Sequence, residues 1–142
     1  GGVADNPDAV TRFVKVARPG RVGEPTGADK TTLLVQLSHN RSGALLSMLE
    51  QFSARGVNLS RIESRPTGAS LGDYFFSVDL DGHILDERVS EAVVGLRRIC
   101  PTTRFLGSYP RAERGVTEVE GRHTDGAFRQ ARDWVQQLCE GR

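Results

Sequence analysis

Residues 31–66, TTLLVQLSHNRSGALLSMLEQFSARGVNLSRIESRP, change their hydrophobic period twice, and these changes decide the fold. At the start of the stretch, Leu33, Val35 and Leu37 alternate with polar residues or with residues of the opposite face. This period of two predicts a strand over residues 31–38, with one side directed at a core.

A helix is predicted over residues 43–55, because apolar residues recur there at a period close to 3.6. Asn40 or Ser42 can cap its start, and Gly56 suits a left-handed turn after its last residue. The predicted core-facing stripe comprises Leu45, Leu46, Met48, Leu49 and Phe52.

A second strand is predicted over residues 57–65, ending at Pro66. Its apolar residues Leu59 and Ile62 are three positions apart, although side chains on one face of a strand are separated by two. If both residues face the core, a β-bulge must lie between them.

The remaining elements follow in the same way. Residues 74–82 alternate as a strand, residues from Asp86 to Cys100 form a second amphipathic helix, and residues 102–110 form a last strand. The order βαββαβ predicts an α+β, ferredoxin-like domain, in which two helices cover one face of an antiparallel sheet. The predicted apolar faces comprise Tyr74, Phe76, Val78 and Leu80 in the strand and Val89, Val93, Leu96 and Cys100 in the helix.

Four segments are expected along the chain. A strand from Thr11 to Ala17 has no partner strand before it, so residues 1–18 are interpreted as the remnant of a preceding domain. The glycine- and proline-rich residues 19–29 are a predicted linker, and residues 30–110 are the domain itself. Residues 111–142 form a polar tail with a helix over 125–139, whose weak apolar stripe comprises Phe128, Ala131, Val135 and Leu138.

Composition excludes several classes of function. The formal net charge of the 142 residues is +1, which gives no support for nucleic acid or an anionic membrane as a partner. Cys100 and Cys139 are far apart and are interpreted as free thiols in a reducing cytosol, and no metal site is expected. Three histidines are predicted to be solvated loop residues, namely His39, His83 and His123. Two carboxylates near a turn, Asp79 and Asp81, are interpreted as turn residues.

One stretch is consistent with a binding site. The segment SHNRSGALL (38–46) combines a strand end, a turn and a helix start, so the backbone N–H groups of Gly43, Ala44 and Leu45 could accept a carboxylate. Asn58 could supply an amide to the same ligand. The alternative is that Gly43 only starts a helix and Asn58 only makes a turn, and spacing alone leaves both readings open.

These residues resemble a known family. GALL (43–46) and GVNLSRIESRP (56–66) are similar to the ACT regulatory domain of prephenate dehydratase, and TRF (11–13) resembles the motif that closes that enzyme's catalytic domain. ESRP alone also occurs in the regulatory domains of aromatic amino acid hydroxylases, but an upstream TRF does not fit those. The chain departs from the family at Ser42, where proline is usual.

The resemblance implies an ACT domain over residues 30–110 of an enzyme that converts prephenate to phenylpyruvate, losing water and carbon dioxide. It implies that Thr11 assists departure of the hydroxyl group, that Arg12 binds a substrate carboxylate or is structural, and that Phe13 packs. No cofactor is implied, and the chain by itself is expected to be inactive. The alternative is a free-standing ACT-type amino acid sensor or dimerisation module without enzyme activity.

The resemblance further implies that L-phenylalanine binds between two ACT domains for feedback control, in a cytoplasmic homo-oligomer that is a dimer or a tetramer. One chain would contribute His39, Asn40, Gly43, Ala44, Leu45 and Leu46, and its mate would contribute Asn58, Leu59 and Ser60. The charged end of the second strand would shape this site and the contact with the catalytic domain; it comprises Glu63, Ser64, Arg65 and Pro66.

Overall fold

A computed structural model of the chain describes residues 21–37, 43–68, 74–100, 102–112 and 115–141. The predicted order of elements is confirmed there, with bounds that agree within two residues. The expected strand from Thr11 to Ala17 lies outside the described residues. The elements are β1 (Asp29–Leu37), α1 (Ala44–Ser53), β2 (Leu59–Pro66), β3 (Tyr74–Asp81), α2 (Glu87–Ile99), β4 (Thr103–Pro110), a 3₁₀ turn (Gly121–His123) and α3 (Asp125–Cys139).

The four strands form one antiparallel sheet in the order β2-β3-β1-β4. Leu33 lies opposite Val78 and Val35 lies opposite Phe76, so the predicted apolar faces of β1 and β3 coincide. Helices α1 and α2 cover this face and bury it, which confirms the ferredoxin-like arrangement.

Strand β2 contains the expected bulge. Leu59 lies opposite Leu80 and Ile62 lies opposite Val78, and the register shifts between Leu59 and Arg61. Both apolar residues therefore face the helices, and the extra residue is absorbed at Ser60. Because of this shift, Arg61 turns to the face of the sheet that carries no helix.

The predicted stripe of α1 was wrong in part. Met48 and Phe52, four residues apart, are fully buried against the sheet, whereas Leu45 is 42% and Leu46 60% exposed. The apolar surface of α1 is wider than the strip of sheet beneath it, so the helix buries only one side of it. Gly56, with φ at +72°, makes the predicted left-handed turn after the helix.

The stripe of α2 is confirmed. Val89, Leu96 and Cys100 are buried, and Val93 packs against the core. Cys100 and Cys139 are free thiols, and burial raises the pKa of the Cys100 thiol. Every apolar position predicted for this helix thus serves the protomer's own core.

The tail is attached to the domain by polar contacts. The Asp125 carboxylate accepts a hydrogen bond of 2.8 Å from the backbone N–H of Glu87, and Arg132 donates two bonds of 2.9 Å to the Glu87 side chain. His123 lies directly against Gly56, so a side chain at position 56 would collide with the imidazole. Through these contacts α3 is held at the start of α2.

One histidine was misread from the sequence. His83 is 1% exposed and not a solvated loop residue. Its Nδ1 accepts a hydrogen bond of 3.0 Å from the Leu85 N–H, and its own backbone N–H donates to Asp86. The imidazole therefore replaces missing backbone partners in the turn before α2, which is a structural role.

Candidate functional site

Helix α1 begins with backbone amides that have no partner among the described residues. Gly43 precedes it with φ at +86°, a conformation that favours glycine, and no described side chain caps the helix. The first intrahelical bond runs from the Ser47 N–H to the Gly43 carbonyl at 2.8 Å. No acidic residue lies in the first turn, so the free N–H groups and the helix dipole favour an anion here.

Two exposed leucines flank this helix start. Leu45 and Leu46 follow Gly43 and Ala44 directly, and their exposure leaves an apolar surface beside the free amides. A ligand with a carboxylate and an apolar side chain matches this pair of features. His39 and Asn40, which were also predicted to contact the ligand, lie outside the described residues, as does Ser42.

The second predicted part of the site precedes and begins β2. The Asn58 side-chain nitrogen donates a hydrogen bond of 2.8 Å to the Asp81 carboxylate, and the Asp81 N–H donates to the Asn58 carbonyl at 2.9 Å. With its nitrogen held in this way, Asn58 keeps its amide oxygen available as an acceptor. Ser60 is exposed at the bulge, and Leu59 is half-buried against the core.

The two parts lie at opposite ends of one protomer. Gly43 follows the end of β1 at Leu37, which pairs with Tyr74, whereas Asn58 bonds to Asp81 at the other end of β3. The eight residues of β3 span about 25 Å. A single protomer therefore does not bring the α1 amides and Asn58 to the same ligand.

The charged end of β2 lies at the same end of the sheet as the start of α1. Glu63 and Arg65 pair with Ser77 and Phe75 of β3, so both face away from the helices. Glu63 contacts Arg61 at 3.4 Å. Ser64 and Pro66 are exposed and face the other way, opposite Phe76 and Tyr74.

An ion pair on the helix-free face was missed in the sequence. Asp79, which is 1% exposed, accepts a hydrogen bond of 3.0 Å from Nε of Arg61 and one of 2.7 Å from the Thr32 hydroxyl. Asp79 is therefore a strand residue in an ion pair, not the turn residue that was predicted. Burial by itself lowers the pKa of Arg61, but the hydrogen bond and charge of Asp79, aided by Glu63, raise it overall.

No group of three or more metal-ligating side chains occurs within the described ranges. In the same ranges, no helix is both long and apolar enough to cross a membrane. Thr11, Arg12 and Phe13, which were predicted to act in catalysis, lie outside the described residues.

Comparison with known proteins adds two findings. Residues 31–98 match the model of the ACT domain. The chain is 41% identical to a prephenate dehydratase of Amycolatopsis methanolica over 140 residues, which are 98% of this chain and 46% of that protein. It is 50% identical to a prephenate dehydratase of Mycobacterium tuberculosis over 109 residues, 77% of this chain and 34% of that protein.

A solved structure agrees. The crystal structure of prephenate dehydratase from Arthrobacter aurescens in complex with L-Phe superposes with a TM-score of 0.82 at 55% identity, covering 87% of this chain and 40% of that one. The chain thus spans less than half the length of these relatives.

Proposed function

Residues 31–98 belong to the ACT domain family, and on that premise we propose that the chain is the C-terminal regulatory portion of a prephenate dehydratase, which binds L-phenylalanine for feedback control. The observation that carries the proposal is the 55% identity to a prephenate dehydratase solved in complex with L-Phe. The uncapped start of α1 and the exposed leucines beside it have the chemistry that such a ligand needs.

A bound amino acid would be held by three kinds of contact. Its carboxylate would accept hydrogen bonds from the N–H groups of Ala44, Leu45 and Leu46 at the start of α1. Its ammonium would donate to the amide oxygen of Asn58, which Asp81 orients. Its ring would lie against the exposed side chains of Leu45 and Leu46.

This arrangement requires two copies of the chain, because the two parts of the site lie at opposite ends of one protomer. Strand β2 is an edge of the sheet and presents backbone groups for pairing. If β2 pairs antiparallel with β2 of a second copy, Asn58 of each copy approaches the end of the sheet where α1 of the other begins. A two-fold pair would then contain two equivalent sites.

The parent enzyme would convert prephenate to phenylpyruvate in the cytoplasm. Thr11 would donate a proton to the departing hydroxide, Arg12 would bind a substrate carboxylate, and Phe13 would pack beside them. For feedback control, L-phenylalanine must bind the low-activity state more tightly than the active state. The 142-residue chain would bind the amino acid without dehydrating prephenate.

Isothermal titration of the chain with L-phenylalanine tests the proposal. We expect saturable binding with one ligand per chain, and we expect Asn58→Ala to weaken it about tenfold or more, because a hydrogen bond to the charged ammonium is lost. Gly43→Val should weaken it as well, since a β-branched residue strains the positive φ and shifts the amides.

A matched control separates the site from general strain. Gly115 also has a positive φ, at +119°, and an added Cβ meets no atom within 4 Å at either glycine. Gly115→Val should therefore bind L-phenylalanine as the unmodified chain does. Absence of heat from the unmodified chain at millimolar ligand, or equal affinity in Asn58→Ala, contradicts the proposed function.

A further inference from the structure

Helix α3 is attached to the domain by its polar side and presents its apolar side to solvent. Asp125 and Arg132 bind the start of α2. On the other side, Trp134 is 61%, Val135 51% and Leu138 54% exposed. This orientation is the reverse of that expected for an amphipathic helix in a finished domain, in which the apolar side is buried.

The exposed side has a regular composition. Its central line consists of Ala127, Ala131, Trp134 and Leu138, at successive spacings of four, three and four residues. We call this line the α3 stripe. Such spacing is the seam pattern of helices that pack along one another. Small residues occupy its N-terminal half and large residues its C-terminal half.

We propose that the α3 stripe is an interface between two copies of this chain, in which α3 packs antiparallel against α3 of the second copy. In this pairing Trp134 lies over Ala131 of the second copy and Leu138 lies over Ala127. Each large side chain then meets a small one, so the two surfaces interlock without a void. A parallel pairing would instead place tryptophan against tryptophan and alanine against alanine.

Charge favours the same occupant. The residues that border the α3 stripe are Gln130 and Gln137 on one side and Phe128 and Val135 on the other, and none of them is charged. Two identical charged borders would repel each other, whereas amides and apolar side chains do not. Antiparallel packing also opposes the two helix dipoles favourably.

This surface is separate from the proposed amino acid site, which involves α1 and β2. The fifteen residues of α3 extend over about 22 Å, so the contact by itself is small and its association is concentration-dependent. Two different two-fold contacts in one chain join dimers into a tetramer. The stripe therefore supplies the second contact of such an assembly.

Trp134 is the single tryptophan of the chain, so tryptophan emission reports directly on the α3 stripe. Sedimentation velocity and tryptophan emission, followed over a wide concentration range, should show the β2-paired dimer doubling its mass to a tetramer, accompanied by a shift of emission to shorter wavelength. Trp134→Glu should abolish the doubling from dimer to tetramer and leave the β2-paired dimer. Gln136→Glu adds the same charge to the opposite side of the helix and should leave the doubling intact; circular dichroism verifies that both variants fold.

A size exchange tests the antiparallel register. Trp134→Ala should weaken association about 30-fold or more, as for truncation of a buried hot-spot residue. Ala131→Trp should weaken it too, by placing two tryptophans face to face. The double variant Ala131→Trp/Trp134→Ala recreates a large residue opposite a small one and should restore association.

Three results would overturn the proposal. A mass that never exceeds that of the β2-paired dimer, or that responds equally to Trp134→Glu and Gln136→Glu, excludes self-association through the α3 stripe. A double exchange no better than its parents excludes the antiparallel register. L-phenylalanine binding should persist in Trp134→Glu. Loss of the α3 contact is therefore distinguishable from loss of the proposed amino acid site.

Discussion

The two halves of the domain differ in how far the chain itself satisfies the backbone N–H groups at the start of their helices. In the half formed by α2 and β4, the first amide of α2 is bound by Asp125, and the predicted apolar stripe is used in the core. In the half formed by α1 and β2, the helix start is uncapped among the described residues, and the two leucines beside it are exposed. Both halves have an edge strand, β2 in one and β4 in the other. The difference indicates where the protein needs a further partner: the start of α2 is bound by the chain's own tail, whereas the start of α1 is left to a ligand and a second copy.

The largest expected effect separates the two sides of α1. Phe52→Ala should lower the free energy of unfolding by about 3–5 kcal/mol, because a fully buried ring leaves a cavity. Leu46→Ala, on the exposed side, should change it by less than about 0.5 kcal/mol. Urea denaturation of the two variants measures both values. Comparable losses would show that the exposed leucines belong to the core after all.

A smaller effect is expected from the attachment of β2 to the rest of the sheet. Asp79→Ala removes the partner of the Arg61 guanidinium, and we expect a loss of about 2–3 kcal/mol in the free energy of unfolding. Asp81→Ala, a more exposed carboxylate in the same strand, serves as the control and should cost about 1 kcal/mol or less. Equal losses of unfolding free energy in urea denaturation would show that the ion pair does not stabilise the attachment of β2.

The smallest effect concerns the contact between α3 and the start of α2. The hydrogen bonds from Arg132 lower the pKa of Glu87 below its ordinary value of 4.5. A carboxylate whose pKa is lower in the docked state stabilises the docked tail at pH values above its ordinary pKa. This stabilisation is lost as the pH falls through the lowered pKa. The protection of the α3 amides against hydrogen exchange, measured relative to the intrinsic exchange rate at each pH, should therefore fall below about pH 4.5. In Glu87→Gln the protection should already be lower at neutral pH and should show no further fall at about pH 4.5. If the fall persists unchanged in this variant, another titrating group causes it.

The sequence was sufficient for the α2 half because the apolar residues that recur at the helical period all serve the core, so this period reports burial directly. Val94 and Ile99 are also apolar, but they lie off this stripe and are exposed. It misled for α1 because Leu45 and Leu46 are apolar without being buried in the protomer. Periodicity counts apolar residues and does not distinguish those that meet the sheet from those left for another molecule.

The pair Arg61–Asp79 was missed for a different reason. Without a bulge, Arg61 would share the face of Leu59 and lie among the helices. The register shift at Ser60 places it on the opposite face, beside Asp79. The three-residue spacing of Leu59 and Ile62 already contained this information, because a bulge between them also moves Arg61. Asn58–Asp81 had no comparable signal, since it depends on which strands are neighbours.

The central claim, a site shared between two copies, is tested most directly by mixing two inactive variants. Asn58→Ala and Gly43→Val chains should each bind L-phenylalanine poorly, but an exchanged mixture contains mixed dimers with one intact site, built from Gly43 of one chain and Asn58 of the other. Calorimetry should then recover about a quarter of the sites at the unmodified affinity. If subunits exchange, as labelled chains can verify, and no binding returns, the two groups do not share a ligand across copies.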